Sequence, residues 1–278
     1  MNEQKRIITV QDISCIGKCS ATVALPILSA MGSECALLPT AVLSTHTGGF
    51  TGYTLLDMTD EIDRIVAHWK SEGFIFDGLY SGYLASVKQV SQVEELISTF
   101  GHEGFLSVID PVMADHGKLY AGFAENHVDA MAKLCAKADI VLPNLTEASL
   151  MLGCEYIEEG YDEDYIEKLL QGLLKLGAKV TILTGVSYKK GELGIVGIDS
   201  RTGERFSYFH RKLDCSFHGT GDVFASAFTG ALFRGASLQE SIKTAADFTV
   251  ACIENTEGMP KDRLYGVRFE DCMGMLCK

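Results

Sequence analysis

The stretch from Leu106 to Asn144, LSVIDPVMADHGKLYAGFAENHVDAMAKLCAKADIVLPN, decides the fold. It begins with the apolar run Leu106–Ile109 and ends with the apolar run Ile140–Leu142, and each run stops at a proline and a polar residue. Short apolar runs bounded by turn residues are typical of buried strands. A loop with several glycines and a helix that ends near Lys137 lie between them. The stretch therefore predicts one strand–helix–strand unit with parallel strands.

The same alternation continues on both sides of this unit. Further strands are predicted at Arg6–Val10, Cys35–Leu38, Gly78–Tyr80 and Lys179–Leu183, and a hairpin at Gly194–Asp199 and Arg205–His210. Helices are predicted at Ser20–Met31, Asp60–Lys70, Thr146–Leu152, Asp162–Leu176 and Val223–Arg234. Repeated strand–helix units favour a three-layer α/β/α fold with a mostly parallel central sheet. Because no linker or repeat interrupts the pattern, we expect one domain over residues 1–278.

Polar turns at the ends of the strands are the predicted ligand sites, since ligands of such sheets bind at the carboxyl ends of strands. The first strand is expected to end before a polar turn at Gln11, and Pro39 is expected to close the second strand. The rule selects five segments: Gln11–Lys18, Ser44–Gly49, Ser81–Tyr83, Asp110–Met113 and Asn144–Glu147.

Composition excludes several classes of function. The chain has 24 Lys and Arg against 37 Asp and Glu, a net charge of −13, which disfavours a nucleic-acid partner. No apolar run approaches the roughly 18 residues of a membrane span, and no secretory signal is evident. Nine cysteines without zinc-site spacing indicate reduced thiols and a cytoplasmic location.

The segment His218-Gly219-Thr220-Gly221-Asp222 carries the clearest chemistry, because two glycines and an acid directly precede a predicted helix. Bare backbone N–H groups and the positive end of a helix suit a phosphoryl group. An aspartate at the same turn suits a general base. The tetrapeptide alone is equally compatible with a glycine loop and a helix-capping aspartate.

The chain resembles the pyridoxal/pyridoxamine kinase branch of the ribokinase-like superfamily, whose signature contains a G-x-G-D turn. Further matching segments occur in the family's order over almost the whole chain. They are Ile8–Asp12, Leu43–Gly48, Ser81–Tyr83, Asp110–Met113 and Pro143–Glu147.

This resemblance implies ATP-dependent phosphorylation of the 5′-hydroxymethyl group of a B6 vitamer, a small-molecule substrate, with Asp222 as the base. Gly219, Thr220 and Gly221 would hold the transferring phosphate. The implied nucleotide-side residues are Asp110, Asn144, Glu147, Thr184 and Gly185. Asn144 and Glu147 would help to hold Mg²⁺, partly through water. The resemblance also implies a homodimer and leaves dependence on K⁺ open.

The implied substrate-side residues are Asp12, His46, Thr47 and Tyr83. His46 is equally compatible with a structural role in its loop, and Tyr83 with a packing role. The loop Ala114–Gly122 resembles the family's flexible cover over ATP, which would exclude water when closed.

Asp12 departs from the pattern, because many pyridoxal kinases have serine there. Its carboxylate would suit a protonated ring nitrogen or an exocyclic amine, so a hydroxymethylpyrimidine substrate remains a second hypothesis. A non-catalytic B6-binding module is a third, although such a module needs neither the base nor the metal residues. His218 occupies the position before the glycine turn, either in contact with the substrate or in a supporting role.

Overall fold

The computed structural model describes residues 4–214, 217–259 and 265–277, and it divides into two compact units. Residues 1–80 and 213–278 form the first unit, and residues 81–212 form the second. The strands are β1 Arg6–Ser14, β2 Glu34–Leu43, β3 Leu55–Asp57, β4 Gly78–Ser81, β5 Leu106–Ile109, β6 Ala114–Asp115, β7 Lys118–Leu119, β8 Ile140–Val141, β9 Val180–Val186, β10 Glu192–Asp199 and β11 Arg205–Arg211. The α-helices are α1 Ala21–Ala30, α2 Thr59–Ser71, α3 Val87–Phe100, α4 Glu125–Cys135, α5 Leu145–Leu152, α6 Glu163–Leu176, α7 Thr220–Phe233 and α8 Leu238–Thr256. A 3₁₀ helix covers Glu270–Met275.

The first unit is built on four strands in the order β4–β1–β2–β3. β1 and β2 run parallel, and β3 pairs antiparallel with the end of β2. Helix α1 packs on β1, β2 and α7, and α7 packs on α8. The apolar side chains of β1, among them Ile7, Ile8 and Val10, are buried, so β1 lies in the core of this unit.

β1 is longer than predicted and extends through Gln11 and Asp12 to Ser14. These polar residues are buried. Gln11 and Ser14 continue the pairing with β2, and Asp12 lies at a shift of register between Gln11 and Ile13. β2 likewise continues past Pro39, which was wrongly expected to end it. Prolines are tolerated at bulges and at strand edges, and β3 pairs only with Ala41–Leu43, so Pro39 lies beyond its reach.

The second unit holds five strands in the order β11–β10–β9–β8–β5. β5, β8 and β9 are parallel, whereas β10 is antiparallel to both β9 and β11, as the predicted hairpin requires. Helices α5 and α6 pack on β9, and α4 packs on α3 and α5. The predicted strand–helix unit is therefore confirmed, with α4 between β5 and β8.

Part of the predicted loop at residues 114–122 forms a small hairpin of β6 and β7. His116 and Gly117 connect the two strands with φ angles of 48° and 73°. Two successive residues with positive φ are the signature of a type I′ turn, whose twist matches that of paired strands. Sequence periodicity missed the hairpin because each strand has only two residues.

Helix α7 begins at Thr220, three residues earlier than predicted, with Gly219 as its N-cap. Asp222 therefore lies inside the first turn of the helix and not ahead of it. Further along α7, a Cβ at Gly230 would lie 2.5 Å from Sδ of Met31, the residue that follows α1. Glycine thus permits the close approach of α1 and α7, the helix whose first turn contains Asp222.

A Gly230→Ala substitution is expected to lower the free energy of unfolding by about 1–2 kcal/mol, because the added methyl overpacks this contact. The better helix propensity of alanine offsets only part of the loss. Chemical denaturation monitored by circular dichroism measures the change.

Gly274→Ala is the matched control, since no described atom lies within 4 Å of a Cβ at Gly274. Equal stability of the two variants would contradict a tight contact between α1 and α7.

The part of the chain that the structure describes has no helix that combines the length and the apolar character needed to cross a membrane.

Candidate active site

Asp222 is half-buried in the first turn of α7 and accepts a hydrogen bond from the backbone N–H of Ser20. The distance from Ser20 N to Asp222 Oδ2 is 3.0 Å. The pKa of Asp222 is raised to about 7, because burial and the charge of Asp12 raise it by more than the Ser20 N–H lowers it. A carboxylate with a pKa near neutrality has the proton affinity that a general base needs.

The glycines beside Asp222 have different constraints. Gly219 has a φ of 80°, and a Cβ there would lie 1.9 Å from the carbonyl oxygen of Lys18, so only glycine fits. At Gly221 no described atom lies within 4 Å of such a Cβ. Thr220 donates a hydrogen bond from Oγ1 to the Phe217 carbonyl over 3.3 Å. Open space at the N-terminus of a 14-residue helix is a suitable place for an anion.

Asp12 is buried in β1, with 6% of its surface exposed, and accepts a hydrogen bond from Ser14 Oγ at 3.3 Å. Burial raises the pKa of its carboxyl group, while hydrogen bonding by the Ser20 and Ser14 side chains lowers it. Asp12 and Asp222 are thus two acids of one cluster in the first unit, since the charge of Asp12 acts on Asp222.

His46 is buried and fixes its loop. Its Nε2 lies 3.1 Å from the carbonyl oxygen of Tyr265, so Nε2 carries the proton, because a carbonyl can only accept. Its ring packs so closely on Gly17 that a Cβ there would lie 2.2 Å from it. Burial lowers the pKa of His46, which favours the neutral ring. These contacts favour the structural alternative for His46, and a contact with substrate stays a prediction.

Thr47 and His218 lie beside His46 and are exposed. The His218 ring is 5.5 Å from the His46 ring and lies against Gly48, where a Cβ would be 2.7 Å from it. The first unit therefore brings together the loop with Thr47, the residue before the glycine turn, and the acid cluster.

Asn144 and Glu147 form a capping box at the start of α5 in the second unit. Asn144 Oδ1 accepts from the Glu147 N–H at 2.9 Å, and Glu147 Oε2 accepts from the Asn144 N–H at 3.0 Å. Glu147 Oε1 accepts from the N–H groups of Met113 at 3.0 Å and Ala114 at 3.5 Å. Both side chains thus have a structural role, because together they form the capping box of α5.

This arrangement bears on the predicted metal site. Glu147 is 2% exposed, and its two oxygens already accept backbone N–H groups, so it does not fit a direct bond to Mg²⁺. Burial raises the pKa of Glu147, which the backbone N–H groups oppose. Within the described ranges no group of three or more His, Cys, Asp or Glu side chains is placed to hold a metal.

The other predicted nucleotide-side residues lie near the carboxyl ends of adjacent parallel strands. Asp110 follows β5 and is 9% exposed, and its N–H donates to the Ser81 carbonyl at 3.0 Å. Asn144, three residues past β8, forms a parallel bridge with Thr184 of β9. Gly185 is exposed, with a φ of 78°. The structure therefore brings Asn144, Glu147 and Thr184 together at one edge.

The predicted cover is tied to α5. Asn144 Nδ2 donates to the Ala114 carbonyl at 2.8 Å, and the Gly117 N–H donates to Thr146 Oγ1 at 3.0 Å. Tyr156 packs on the turn at Gly117. The hairpin is thus held at both its base and its turn by the helix that contains the capping box.

Tyr83 contacts a ring stack that the sequence did not reveal. Its ring lies 5.5 Å from that of Phe123, and Phe123 stacks on His127 at 3.9 Å with an interplanar angle of 11°. Burial lowers the pKa of His127. Phe123 comes directly after the cover, so the stack joins Tyr83 to the segment that carries the hairpin. Residues 40 positions apart with no shared motif gave no sequence signal for this contact.

An Asn144→Ala variant should lose about 1–2 kcal/mol of unfolding free energy, because it removes the N-cap of α5 and the bond to Ala114. Asn126→Ala, at an exposed position of α4, serves as the control and should be close to neutral. Urea denaturation compares the two, and a loss no larger than that of the control would refute the capping role.

Comparisons with known proteins identify the family of this chain. A family model described as phosphomethylpyrimidine kinase matches residues 25–264. A candidate phosphomethylpyrimidine kinase from Bacteroides thetaiotaomicron is 36% identical in two crystal forms, one of them with pyridoxal. Their TM-scores are 0.95 and 0.93, and the matches cover 100% and 99% of this chain and 95% and 96% of those chains.

Two further relatives are kinases of B6 vitamers by name. The pyridoxal kinase from Lactobacillus plantarum has a TM-score of 0.88 and 31% identity, over 99% of this chain and 97% of its own. The pyridoxine/pyridoxal/pyridoxamine kinase of Bordetella avium is 27% identical over 271 residues, 90% of this chain and 85% of its own. The predicted ribokinase-like α/β fold is confirmed. The chain belongs to the phosphomethylpyrimidine kinase family and is a phosphotransferase of the pyridoxal kinase branch of the ribokinase-like superfamily.

Proposed function

We propose that the protein transfers the γ-phosphoryl group of ATP to the 5′-hydroxymethyl group of pyridoxal, pyridoxamine or pyridoxine. One observation carries the proposal: Asp222, whose pKa is raised to about 7, lies in the first turn of α7 beside the open space at Gly221. A base and an anion-binding helix end at one turn are what phosphoryl transfer to a hydroxyl requires.

In the proposed step, the Asp222 carboxylate takes the proton of the substrate hydroxyl. The hydroxyl oxygen forms a bond to the γ-phosphorus, and the bond from that phosphorus to the bridging β–γ oxygen breaks, which releases ADP. Backbone N–H groups from Gly219 to Gly221 would meet the negative charge that develops on the transferring group. Protein groups thus provide the base and the charge stabilisation.

Asp110, Asn144, Thr184 and Gly185 are proposed to bind the nucleotide, because they lie near the carboxyl ends of three adjacent parallel strands. Mg²⁺, when bound with ATP, would neutralise part of the negative charge of the phosphates. Asn144 and Glu147 would approach it only through water, since their oxygens accept backbone N–H groups. The hairpin at residues 114–119 would keep water from the nucleotide.

Asp12, Thr47 and Tyr83 are proposed to select the ring. A buried carboxylate at Asp12 suits a protonated ring nitrogen, because pairing with a cation offsets the loss of hydration. The half-buried ring of Tyr83 offers an aromatic face. The relative from Bacteroides that was crystallised with pyridoxal supports this choice of ring.

A hydroxymethylpyrimidine is the second candidate substrate. It carries the same kind of hydroxymethyl group, and its exocyclic amine is a donor that the Asp12 carboxylate could accept. The description of the matching family favours it, as phosphomethylpyrimidine kinase chemistry acts on this ring.

A substrate panel in a coupled ADP-release assay tests the choice between the two rings. We expect kcat/KM for the best of the three B6 vitamers to exceed that for hydroxymethylpyrimidine by at least about tenfold, as the ring contacts differ. A preference for the pyrimidine would replace the substrate and retain the chemistry. If neither kind of ring supports ADP release, both substrate assignments are overturned.

An Asp222→Asn variant should lose turnover by about 10²- to 10⁴-fold, because the amide cannot accept the proton. In the unaltered protein, kcat/KM should rise as pH increases through about 7, since Asp222 acts only when it is ionised and its pKa lies there. Initial rates from pH 5.5 to 9 measure both effects.

The matched control is Asp129→Asn, at an exposed position of α4, which should retain full activity. Circular dichroism of both variants verifies folding. A folded Asp222→Asn protein with turnover like that of the control would eliminate Asp222 as the base.

A further inference from the structure

Ser20 has an unusual backbone conformation for a residue with a side chain. Its φ is 51° and its ψ is −130°, and it is one of two described non-glycine residues with positive φ. Side chains are strained in this region, which glycine occupies readily. Such strain costs about 1–3 kcal/mol and persists where surrounding contacts impose it.

Helix capping does not explain the strain. Ser20 precedes α1, where a serine side chain normally accepts an N–H of the first turn. Within the part of the chain that the structure describes, its side chain makes no such capping bond. Its carbonyl, not its hydroxyl, accepts from the N–H groups of Val23 and Ala24. Ser20 is nonetheless 6% exposed, so its hydroxyl points into the protein.

The two polar groups of Ser20 serve two different acids. Its N–H donates to Asp222 Oδ2 at 3.0 Å. Its hydroxyl acts as a hydrogen-bonding group on the Asp12 carboxyl, opposing the effect of burial on the pKa of that group. The strained conformation thus directs the N–H toward α7 while the side chain remains on the side of β1.

The charges around this cluster are mainly acidic. Cys19 lies beside both acids, and its pKa is raised to about 12 by burial and by the charges of Asp222 and Asp12. His46, which faces Asp12, has its pKa lowered by burial, and His218 lies behind it. Lys18 is paired with Glu270 at 2.7 Å and lies over the ring of Phe269. Lys18, the lysine nearest to Ser20 in sequence, is therefore paired with Glu270 and not with the two aspartates.

We propose that Ser20 is a positioning residue that holds Asp222 through its N–H and links it to Asp12 through its hydroxyl, so that the charge on Asp12 tunes the base. The inference rests on the proposed function, in which Asp222 is the base. It adds a role for Asp12 beyond contact with the substrate ring. Two like charges in one partly buried cluster raise each other's proton affinity.

Three variants test the link: Ser20→Ala, Ser20→Gly and Asp12→Asn. Asp12→Asn removes the like charge, so the acid limb of kcat/KM should move to lower pH by about half a unit or more. Ser20→Ala removes a group that favours the ionised form of Asp12. Its acid limb should therefore move in the same direction, with kcat changed more than KM. The double variant should move no further than Asp12→Asn alone.

Ser20→Gly separates positioning from stability. Glycine retains the N–H and tolerates the positive φ, so this variant should be at least as stable as the unaltered protein. Its acid limb should still shift as in Ser20→Ala, because the hydroxyl is gone. Ser29→Ala, on the exposed face of α1, controls for serine removal and should leave the limb unchanged.

NMR titration of the aspartate carboxyl carbons reads the pKa of Asp222 without turnover. A pKa for Asp222 that is unchanged in Ser20→Ala, Ser20→Gly and Asp12→Asn would overturn the link, whatever the activity. An active Asp222→Asn protein would instead overturn the proposed base. The two failures are therefore distinguishable.

Discussion

The contact between Gly219 and the Lys18 carbonyl is the constraint on which the catalytic cluster depends. A Cβ at Gly219 would come within 1.9 Å of that oxygen, so the backbone before α7 lies directly against the backbone that follows β1. Because the two segments touch there, the N–H of Ser20 reaches the carboxylate of Asp222, which lies three residues after Gly219. Gly230 and Met31 maintain the same approach at the other end of the two helices. A glycine at each end of α7 thus fixes where Asp222 lies.

The second unit uses one set of hydrogen bonds for two tasks. The capping box of Asn144 and Glu147 provides hydrogen-bond acceptors for backbone N–H groups at the start of α5. The same two side chains also hydrogen-bond to the backbone of Met113 and Ala114. A helix end and the base of the hairpin are therefore one structural element. Residues that resemble metal ligands in sequence hold the backbone on which the cover is built. Any effect of their removal on nucleotide use would thus include an effect on this backbone.

The sequence predicted the order of strands and helices well, because buried strands and amphipathic helices leave clear periodicities. It failed where tertiary contacts override local preference. Gln11 belongs to a strand because it pairs with Pro39 of β2, and Asp12 lies at the register shift that follows it, although the polarity of both residues indicates a turn. Pro39 continues a strand because its neighbour β3 is short. The hairpin at residues 114–119 is too short to have a period.

The candidate site shows a similar division. Gly219, Gly221 and Asp222 were identified from local chemistry and from resemblance, and the structure explains why position 219 must be glycine. Ser20 was missed because its importance lies in a φ of 51°, which no residue pattern encodes. The ring stack of Tyr83, Phe123 and His127 was missed because its members are distant in sequence. Motifs identify groups with chemical function, whereas the groups that position them depend on backbone geometry.

The acid cluster places a physical demand on the substrate. The charge of Asp12 raises the cost of ionising Asp222, and Asp12 is almost fully buried. A substrate that brings a positive charge or a strong donor to Asp12 would stabilise its ionised form and lessen its effect on Asp222. A neutral ring without such a group would leave the buried carboxylate unpaired, at a cost of several kcal/mol. In the proposed function, the identity of the ring and the proton affinity of the base are therefore coupled through Asp12, so that selection of substrate and activation of the hydroxyl would occur in one cluster.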